Sequence, residues 1–505
     1  MKEIYGSIVD MRRRVFAEVA RIAYGDYDMS ELEDSSYRIV PGEVGRDRGD
    51  IFRERAIAEE MVRLAMGMDI RQIGEYKKVT DGFDKVDIDT NAYEKPLINV
   101  IKFACEACPT KSYFSTNNCR KCIAHPCINV CPVNAITMEK DGTVINKDKC
   151  IRCGRCAEAC PYHAIVMYDR PCASVCGVKA IGSDEYDRAE INQDKCVACG
   201  RCIATCPFGA ISDKTQIFQL IKAIKSGKKI YGAIAPSYIG QFGAKAKPAQ
   251  ILEGIKRLGF EDVIEVALGA DITTLHEAKE YLERVPDKIP FMGTSCCFSW
   301  SLMIKNEFPD IYEQVSDSGS PMRYTANYIK KIDPEAVVVF IGPCTSKKLE
   351  AIDTKVKSDV DFVVTFEEVM GMLVAKDIDV AEIEVSEEDE ESSALGRGYP
   401  IAGGVAESVK VTAELLDPEK DINIQGANTL DECIKMLKIA KAGKLNGYLL
   451  EGMACPGGCV AGVGTVASVG RVKREVQKYM KASAFKTPLE NTKIEAERSE
   501  IIEEK

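Results

Sequence analysis

Cysteine spacing constrains this chain more than any other feature. Twenty-two cysteines occur in 505 residues, and most recur at intervals of two, three or four. Cys150-x2-Cys153-x2-Cys156-x3-Cys160-Pro161 and Cys196-x2-Cys199-x2-Cys202-x3-Cys206-Pro207 share one spacing, and Cys119-x2-Cys122-x4-Cys127-x3-Cys131-Pro132 is a variant of it. The opening MKEIYGSIVDMRRRVF has no signal-type apolar core, so the chain reads as cytoplasmic, where thiols stay reduced and serve as metal ligands rather than as a disulfide framework. With only three histidines, His125, His163 and His276, the metal must be held by sulfur, which selects zinc or iron–sulfur clusters.

A zinc site would be complete with two cysteine pairs, whereas here a third cysteine and a Cys-Pro follow each time. This is the bacterial ferredoxin run, in which three thiolates hold one 4Fe-4S cluster and the fourth reaches the neighbouring cluster. That crossing assigns Cys119, Cys122, Cys127 and Cys160 to one cluster, and Cys131, Cys150, Cys153 and Cys156 to another. The repeated segments VNAITM, YHAIVM, VKAIGS and FGAISD predict a short strand after each cluster loop. PCASVCGVKAI supplies only Cys172 and Cys176, the back half of a run. The unassigned pair Cys105-x2-Cys108 is therefore inferred to fold back and join Cys172 and Cys206, leaving Cys176 with Cys196, Cys199 and Cys202. The alternative puts Cys105 and Cys108 with Cys172 and Cys176, and groups Cys196, Cys199, Cys202 and Cys206; the sequence leaves both open. Either way four accessory 4Fe-4S clusters are implied.

Beyond residue 215 the texture changes. KKIYGAIAPS, DVIEVALGAD, KIPFMGTSCC, AVVVFIGPCT and DFVVTFEE read as short apolar strands entering loops, most followed by a helical pattern, which predicts an α/β domain with its site at the strand C-terminal ends. The predicted organisation is a helical N-terminal region (1–95), two ferredoxin-like α+β dicluster units (96–215), an α/β domain (216–485) and a polar, frayed tail (486–505). The N-terminal region would cap the ferredoxin-like units or mediate association. The acidic stretch 386–393 reads as a solvated loop. A net charge of -11 argues against nucleic acid as the main partner, and no apolar run approaches the ~18 residues that span a bilayer.

Three loop segments of the α/β region, TSCC (294–297), PCTSKK (343–348) and GMACPGGC (452–459), follow in this order and resemble the three signature segments of iron-iron (FeFe) hydrogenases. The similarity runs over roughly residues 100 to 480. It implies an H-cluster, a 4Fe-4S cluster joined through a cysteine sulfur to a diiron centre carrying CO, cyanide and a bridging dithiolate amine. Cys297, Cys344, Cys455 and Cys459 would hold the cubane, with Cys459 bridging. Cys296, pointing away from Cys297, resembles the family's proton-relay thiol, a group able to donate and accept a proton. The relay would continue through Glu277, Glu280 and Ser316; two glutamates three apart share a helix face. Lys347 would donate to one cyanide, Ser237 and the Pro236 segment would face the other, and Met453 would pack on the cluster. Lys348 reads as a solvated lysine and Cys433 as a structural thiol.

Phe298 stands where proline commonly follows TSCC, Gly342 stands where methionine usually precedes the proline, and GGCVAGVGTVA lacks the usual glycine-glycine-glutamine-proline continuation. These departures resemble the group B hydrogenases. Gly462-x-Gly464-x-x-Ala467 fits a dinucleotide fingerprint only formally, since it follows a ligand cysteine outside any βαβ unit. The resemblance implies an anaerobic enzyme that reversibly reduces protons to H2, served by maturation proteins and by a ferredoxin-like electron carrier or redox subunit. Two other classes stand beside it: an H2 or redox sensor of low turnover, and a noncatalytic electron-transfer or cluster-assembly protein.

Overall fold

Two small iron–sulfur-type units are nested, one inside the other. The computed structural model describes residues 6–25, 28–85, 95–353, 355–356, 358–385 and 392–503. Eight short strands build the nested pair: β1 (Ile98–Val100), β2 (Ser112–Ser115), β3 (Ile136–Glu139), β4 (Gly142–Ile145), β5 (Ile165–Tyr168), β6 (Ile181–Ser183), β7 (Ala189–Ile191) and β8 (Ile211–Asp213). β2 pairs antiparallel with β5 around the hairpin β3–β4. In the same way β1 pairs antiparallel with β8 around the hairpin β6–β7, and this closure encloses the whole of the first unit. Residues 112–168 are thus an inserted unit, and the segments around β1 and β6–β8 are its host. Nesting explains the half run at Cys172: its front half, Cys105 and Cys108, follows β1, as Cys119 and Cys122 follow β2.

The second half of the chain is α/β, with β9 (Ile230–Ile234), β10 (Asp262–Glu265), β11 (Met292–Gly293), β12 (Val337–Gly342), β13 (Phe362–Thr365), β14 (Asn423–Ala427) and β15 (Tyr448–Gly452). They form two parallel sheets in the orders β10-β9-β12-β13 and β11-β15-β14. β12 and β13 are almost wholly buried, as parallel strands covered on both faces must be. Sequence patterning missed β14 and β15. β14 is largely exposed, so its pattern carries no apolar run. The ends of β9, β11, β12 and β15 lead into Ala235-Pro236-Ser237, Thr294–Cys297, Pro343-Cys344 and Met453–Cys455, which gathers the motif segments at the C-terminal edges of both sheets. Gly452 faces Trp300 so closely that a Cβ would lie 2.1 Å from the indole.

The N-terminal region is helical in part, through Gly6–Tyr24, Ser35–Ile39 and Ile51–Ala65. Gly6–Tyr24 lies against Phe366–Ala375 of the α/β domain. There a Cβ on Gly371 would meet Phe16 Cβ at 2.7 Å, and Arg12 Nε donates to buried Glu367 at 2.9 Å. The same region reaches the host unit through Arg48 and Arg53, so it braces both halves.

Three expectations change. The end of the chain is docked: Ile494 and Ile501 are buried with Leu268, Ile272 and Leu275, so a frayed tail does not describe residues 486–503. Of the acidic stretch, 386–391 lie outside the described residues, while Ser392 and Ser393 are buried. Lys348 is fully buried rather than solvated. Its Nζ donates to Asp213 Oδ2 (2.9 Å), the Lys214 carbonyl (2.9 Å) and Glu368 Oε1 (2.7 Å), tying β8 of the host unit to the α/β domain. Removing one member of a buried ion network strands the others. Lys348→Met should therefore cost about 3–5 kcal/mol in denaturant unfolding, and Lys348→Met with Glu368→Gln should recover part of that loss.

Candidate metal centre and proton path

The two nested units sort their cysteines by position. Cys105, Cys108, Cys172 and Cys206 line one cavity, and Cys131, Cys150, Cys153 and Cys156 line another. Burial pushes the Cys172 thiol up to about 12, with Cys206, Cys105 and Cys108 adding to the shift. Burial likewise raises the Cys199 thiol to about 12, and its neighbouring thiols are Cys176 and Cys196; Cys202 has Cys199, Cys196 and Cys176 around it. Cys127 has Cys160 and Cys122 as its sulfur neighbours, and Cys119 sits near the surface of the same unit. The two cavities and these neighbours agree with the crossed pattern, with Cys172 also near Cys202 between the two host sets. The cluster loops turn through left-handed residues at matching steps, Ala107 and Lys121, then Arg152 and Ala198.

The third loop of the host unit is the junction with the α/β domain. Ser299 Oγ and Ser346 Oγ each donate to the Val197 carbonyl at 3.1 Å, and Thr345 Oγ1 donates to that of Ala198 at 2.6 Å. These hydroxyls belong to the segments that follow Cys297 and Cys344. Gly200 is left-handed (φ 72°), and a Cβ there would meet Val463 Cγ1 at 2.5 Å. Cys199 is accordingly among the sulfur neighbours of Cys455.

Cys297, Cys344, Cys455 and Cys459 face one another. Burial raises each thiol, Cys344 to about 11, and each is raised further by other members of the set or, for Cys297, opposed by Lys347 and backbone donors. Four buried sulfurs around one point are unstable as thiolates unless a strong cation compensates them, which suits an iron cubane. The glycines of this region bring chain to chain rather than chain to ligand. A Cβ on Gly458 would meet the Pro400 carbonyl oxygen at 2.6 Å, and one on Gly462 that of Pro343 at 2.4 Å. Gly462 and Gly464 have this packing role, Gly464 against Thr365 and Pro343. Gly342 is held small by Phe340, whose ring would lie 2.5 Å from a Cβ. Phe298 begins the helix Phe298–Glu307, the first-turn position that also suits proline.

Around the thiols lie the polar groups picked out from sequence. Lys347 Nζ donates to the Cys296 carbonyl at 3.2 Å and to Glu350 Oε2 at 2.6 Å. Burial works against its charge, but Glu350 and the nearby thiols raise its pKa well above that of an ordinary lysine. Two partners leave one ammonium proton for a ligand in the site. Pro236 and Ser237 are buried beside β12, and Ser237 Oγ has no hydrogen-bond partner among the described residues. An orphan buried hydroxyl and a lysine with a spare proton are the two kinds of donor that the two anionic ligands of an H-cluster would need. Met453 is buried beside Cys296 and Cys297, and Cys433 is a fully buried thiol donating to the carbonyls of Ala427 and Met453.

The relay candidates fall into two groups on the helix Val266–Arg284. Glu277 is fully buried; its Oε1 accepts from Ser295 N at 2.7 Å and its Oε2 has no partner among the described residues. Burial pushes its carboxyl up to about 7. Burial also holds the Cys296 thiol well above its usual range, with Lys347 opposing and Glu277 adding. Farther out, Ser316 Oγ donates to Glu280 Oε2 at 2.5 Å, and Arg284 pairs with Glu280 Oε1. No direct hydrogen bond joins Glu277 to this outer pair among the described residues. Sequence reading missed Glu350, the partner of Lys347, and Tyr399, whose hydroxyl bonds Thr274 Oγ1 at 2.7 Å beside Glu277 and Cys296. Glu350, three residues after Lys347, carried a readable helical spacing; Tyr399 carried none.

Residues 228–463 match the iron only hydrogenase large subunit, C-terminal domain; residues 143–166 match the 4Fe-4S binding domain, and residues 166–217 the LdpA Fe-S cluster-binding domain. The chain is 32% identical over 372 residues to iron hydrogenase 1 of Clostridium pasteurianum, covering 63% of this chain and 64% of that protein. It is 27% identical over 366 residues to the NADP-reducing hydrogenase subunit HndD of Solidesulfovibrio fructosivorans, covering 62% of this chain and 55% of that one. It thus spans less than two thirds of either relative's length. The cytosolic Fe-S cluster assembly factor NAR1 of Kluyveromyces lactis is 28% identical over 178 residues, 33% of this chain and 38% of that protein. With ferredoxin-type cluster-binding segments leading into an H-cluster domain, the chain is an FeFe hydrogenase-like protein.

Proposed function

We propose that the protein catalyses the reversible reduction of two protons to H2, with electrons relayed through four accessory 4Fe-4S clusters. The observation that supports this reading best is the placement of Cys296 and buried Glu277 near each other beside the four facing thiols, with Glu277 accepting from Ser295 N next to Cys296. A cluster held only for transfer or assembly has no use for a thiol and a carboxyl raised by burial at its edge. Cys297, Cys344, Cys455 and Cys459 would hold the H-cluster, which when bound supplies the electrons and the metal site for the chemistry.

The remaining work belongs to this chain's own side chains. Glu280, reached by solvent through the Ser316–Arg284 surface, takes up a proton at the outer end of the path. Glu277, with a carboxyl near neutrality and one unpartnered oxygen, holds a proton in the interior and releases it without a large penalty. Cys296 Sγ is the last protein atom on the path, and Lys347, fixed by Glu350, holds the loop that carries it through the Cys296 carbonyl. Trp300, Met453 and Cys433 pack the surroundings and exclude water. Ferredoxin-like proteins or a redox subunit would exchange the electrons and maturation proteins would install the diiron part, with the cytoplasm as the compartment.

The four accessory clusters follow the crossed grouping: Cys119, Cys122, Cys127 and Cys160; Cys131, Cys150, Cys153 and Cys156; Cys105, Cys108, Cys172 and Cys206; Cys176, Cys196, Cys199 and Cys202. The last lies against the catalytic segments through Val197–Gly200, which completes the electron path.

Infrared spectroscopy of protein matured with the family's assembly enzymes tests the reading, and bands of iron-bound CO and cyanide are expected. A fully loaded protein without them is a cluster-transfer or assembly protein instead; bands with negligible turnover indicate the sensor.

Cys296→Ala should keep these bands and lose turnover by at least ~100-fold, the scale of a deleted acid–base group. Cys297→Ala should impair the cubane itself. Glu280→Gln should slow turnover without altering the bands. Equal behaviour of the two cysteine variants would contradict the division of labour.

Iron content checks the grouping. About 22 irons per chain are expected, and Cys105→Ser with Cys108→Ser should remove about four while the H-cluster bands persist.

A further inference from the structure

We infer that the face of the inserted unit formed by Arg120, Lys121, Ile123 and Tyr162 is the docking surface for a small acidic one-electron carrier protein. The inference rests on the cluster-relay reading above and adds the place and chemistry of the partner. Its basis is a comparison of the two nested units. Cys105-Glu106-Ala107-Cys108 of the host matches Cys119-Arg120-Lys121-Cys122 of the inserted unit, with left-handed backbone at Ala107 (45°) and Lys121 (50°). Cys206-Pro207-Phe208-Gly209 matches Cys160-Pro161-Tyr162-His163, left-handed at Gly209 (63°) and His163 (48°).

In the host unit this face is already occupied. Arg48 and Arg53 of the N-terminal region both pair with Glu106. Arg48 Nη1 donates to the Phe208 carbonyl at 3.0 Å, and its guanidinium lies 5.3 Å from the centre of the Phe208 ring. Gly209 is covered by Ile8, whose Cγ2 would lie 3.2 Å from a Cβ. A polypeptide segment with cationic side chains thus seats on an acid and an aromatic ring at the rim of a cysteine set.

In the inserted unit nothing among the described residues covers the matching face. Ile123 is 98% exposed, Tyr162 is 49% exposed, and Arg120 and Lys121 are exposed as well. Apolar side chains this exposed contribute little to folding and are available to a partner. The charge at the matching step is inverted, Arg120 standing where Glu106 stands in the host. The occupant must then present acids where the N-terminal segment presents arginines. The hairpin β3–β4 borders this face and carries Glu139 and Asp141 beside Lys140, whose carbonyl accepts from Lys121 Nζ at 2.6 Å. Even so, residues 111–168 hold eight Lys and Arg against four Asp and Glu, a local +4 in a chain of net -11. Docking here brings a carrier to the edge of the set containing Cys119 and Cys160, which are ligands in the relay.

The test compares two electron donors on the matured full-length protein: a small acidic ferredoxin and methyl viologen, which needs no docking site. Arg120→Glu with Lys121→Glu should raise the ferredoxin KM by ~10-fold or more and leave viologen-linked turnover and iron content unchanged. Ile123→Asp, at a site where nothing packs, should act in the same direction. The ferredoxin-linked rate of the unmodified protein should fall as salt is added, since the attraction is between exposed charges. An unchanged ferredoxin KM in both variants at full iron content, or a ferredoxin-linked rate that rises with salt, would overturn the proposal. If the unmodified protein shows no viologen-linked turnover, the hydrogenase reading has failed independently. Calorimetric titration with the same ferredoxin then decides the docking: binding lost in the variants upholds it, and binding unchanged overturns it.

Discussion

The carbonyls of Val197 and Ala198 accept three hydroxyls, from Ser299, Ser346 and Thr345, at the point where the iron–sulfur half of the molecule meets the α/β half. These hydroxyls come from the segments that follow Cys297 and Cys344, so one small set of hydrogen bonds fixes both the junction and the placement of those two thiols. The left-handed Gly200 lets the loop press against Val463 and Thr345. Electron transfer needs donor and acceptor held close in the dry interior. The lysine network of Lys348, Asp213 and Glu368 and the brace of Gly6–Tyr24 keep the two halves from shifting around that contact.

Much of this was readable from the amino acids because ligand chemistry imposes spacing. Cluster loops demand cysteines two and three apart, and the strands that follow them appeared as VNAITM, YHAIVM, VKAIGS and FGAISD, the sites of β3, β5, β6 and β8. The α/β strands from β9 to β13 were legible as buried apolar runs; the exposed β14 was not. What spacing could not reveal was nesting. A split run looks the same whether its missing half is lost or lies on the far side of an inserted unit; the pairing of β1 with β8 brings the two halves to one cavity.

Residues that act through tertiary partners were the least legible. Lys347 and Lys348 are adjacent and identical, yet one holds the Cys296 loop and the other is the centre of a buried ion network. Nothing in PCTSKK says which is which, because the difference lies in Glu350, Asp213 and Glu368, two of them far away in the chain. Tyr399 is similar: it reaches the pocket from a short helix with no motif of its own.

The nested arrangement also orders events in time. During synthesis Cys105 and Cys108 emerge before any of their mates, yet Cys172 and Cys206 become available only after the entire inserted unit has been made. The inserted unit contains all of its own cysteines and can close by itself, whereas the host is a long-range closure that pays its chain entropy late. Iron delivered early would therefore meet an unfinished pair of thiols at Cys105 and Cys108. The inserted unit is also a module with both ends at one place, so the chain of the host unit runs on past it to the four facing thiols of the α/β domain.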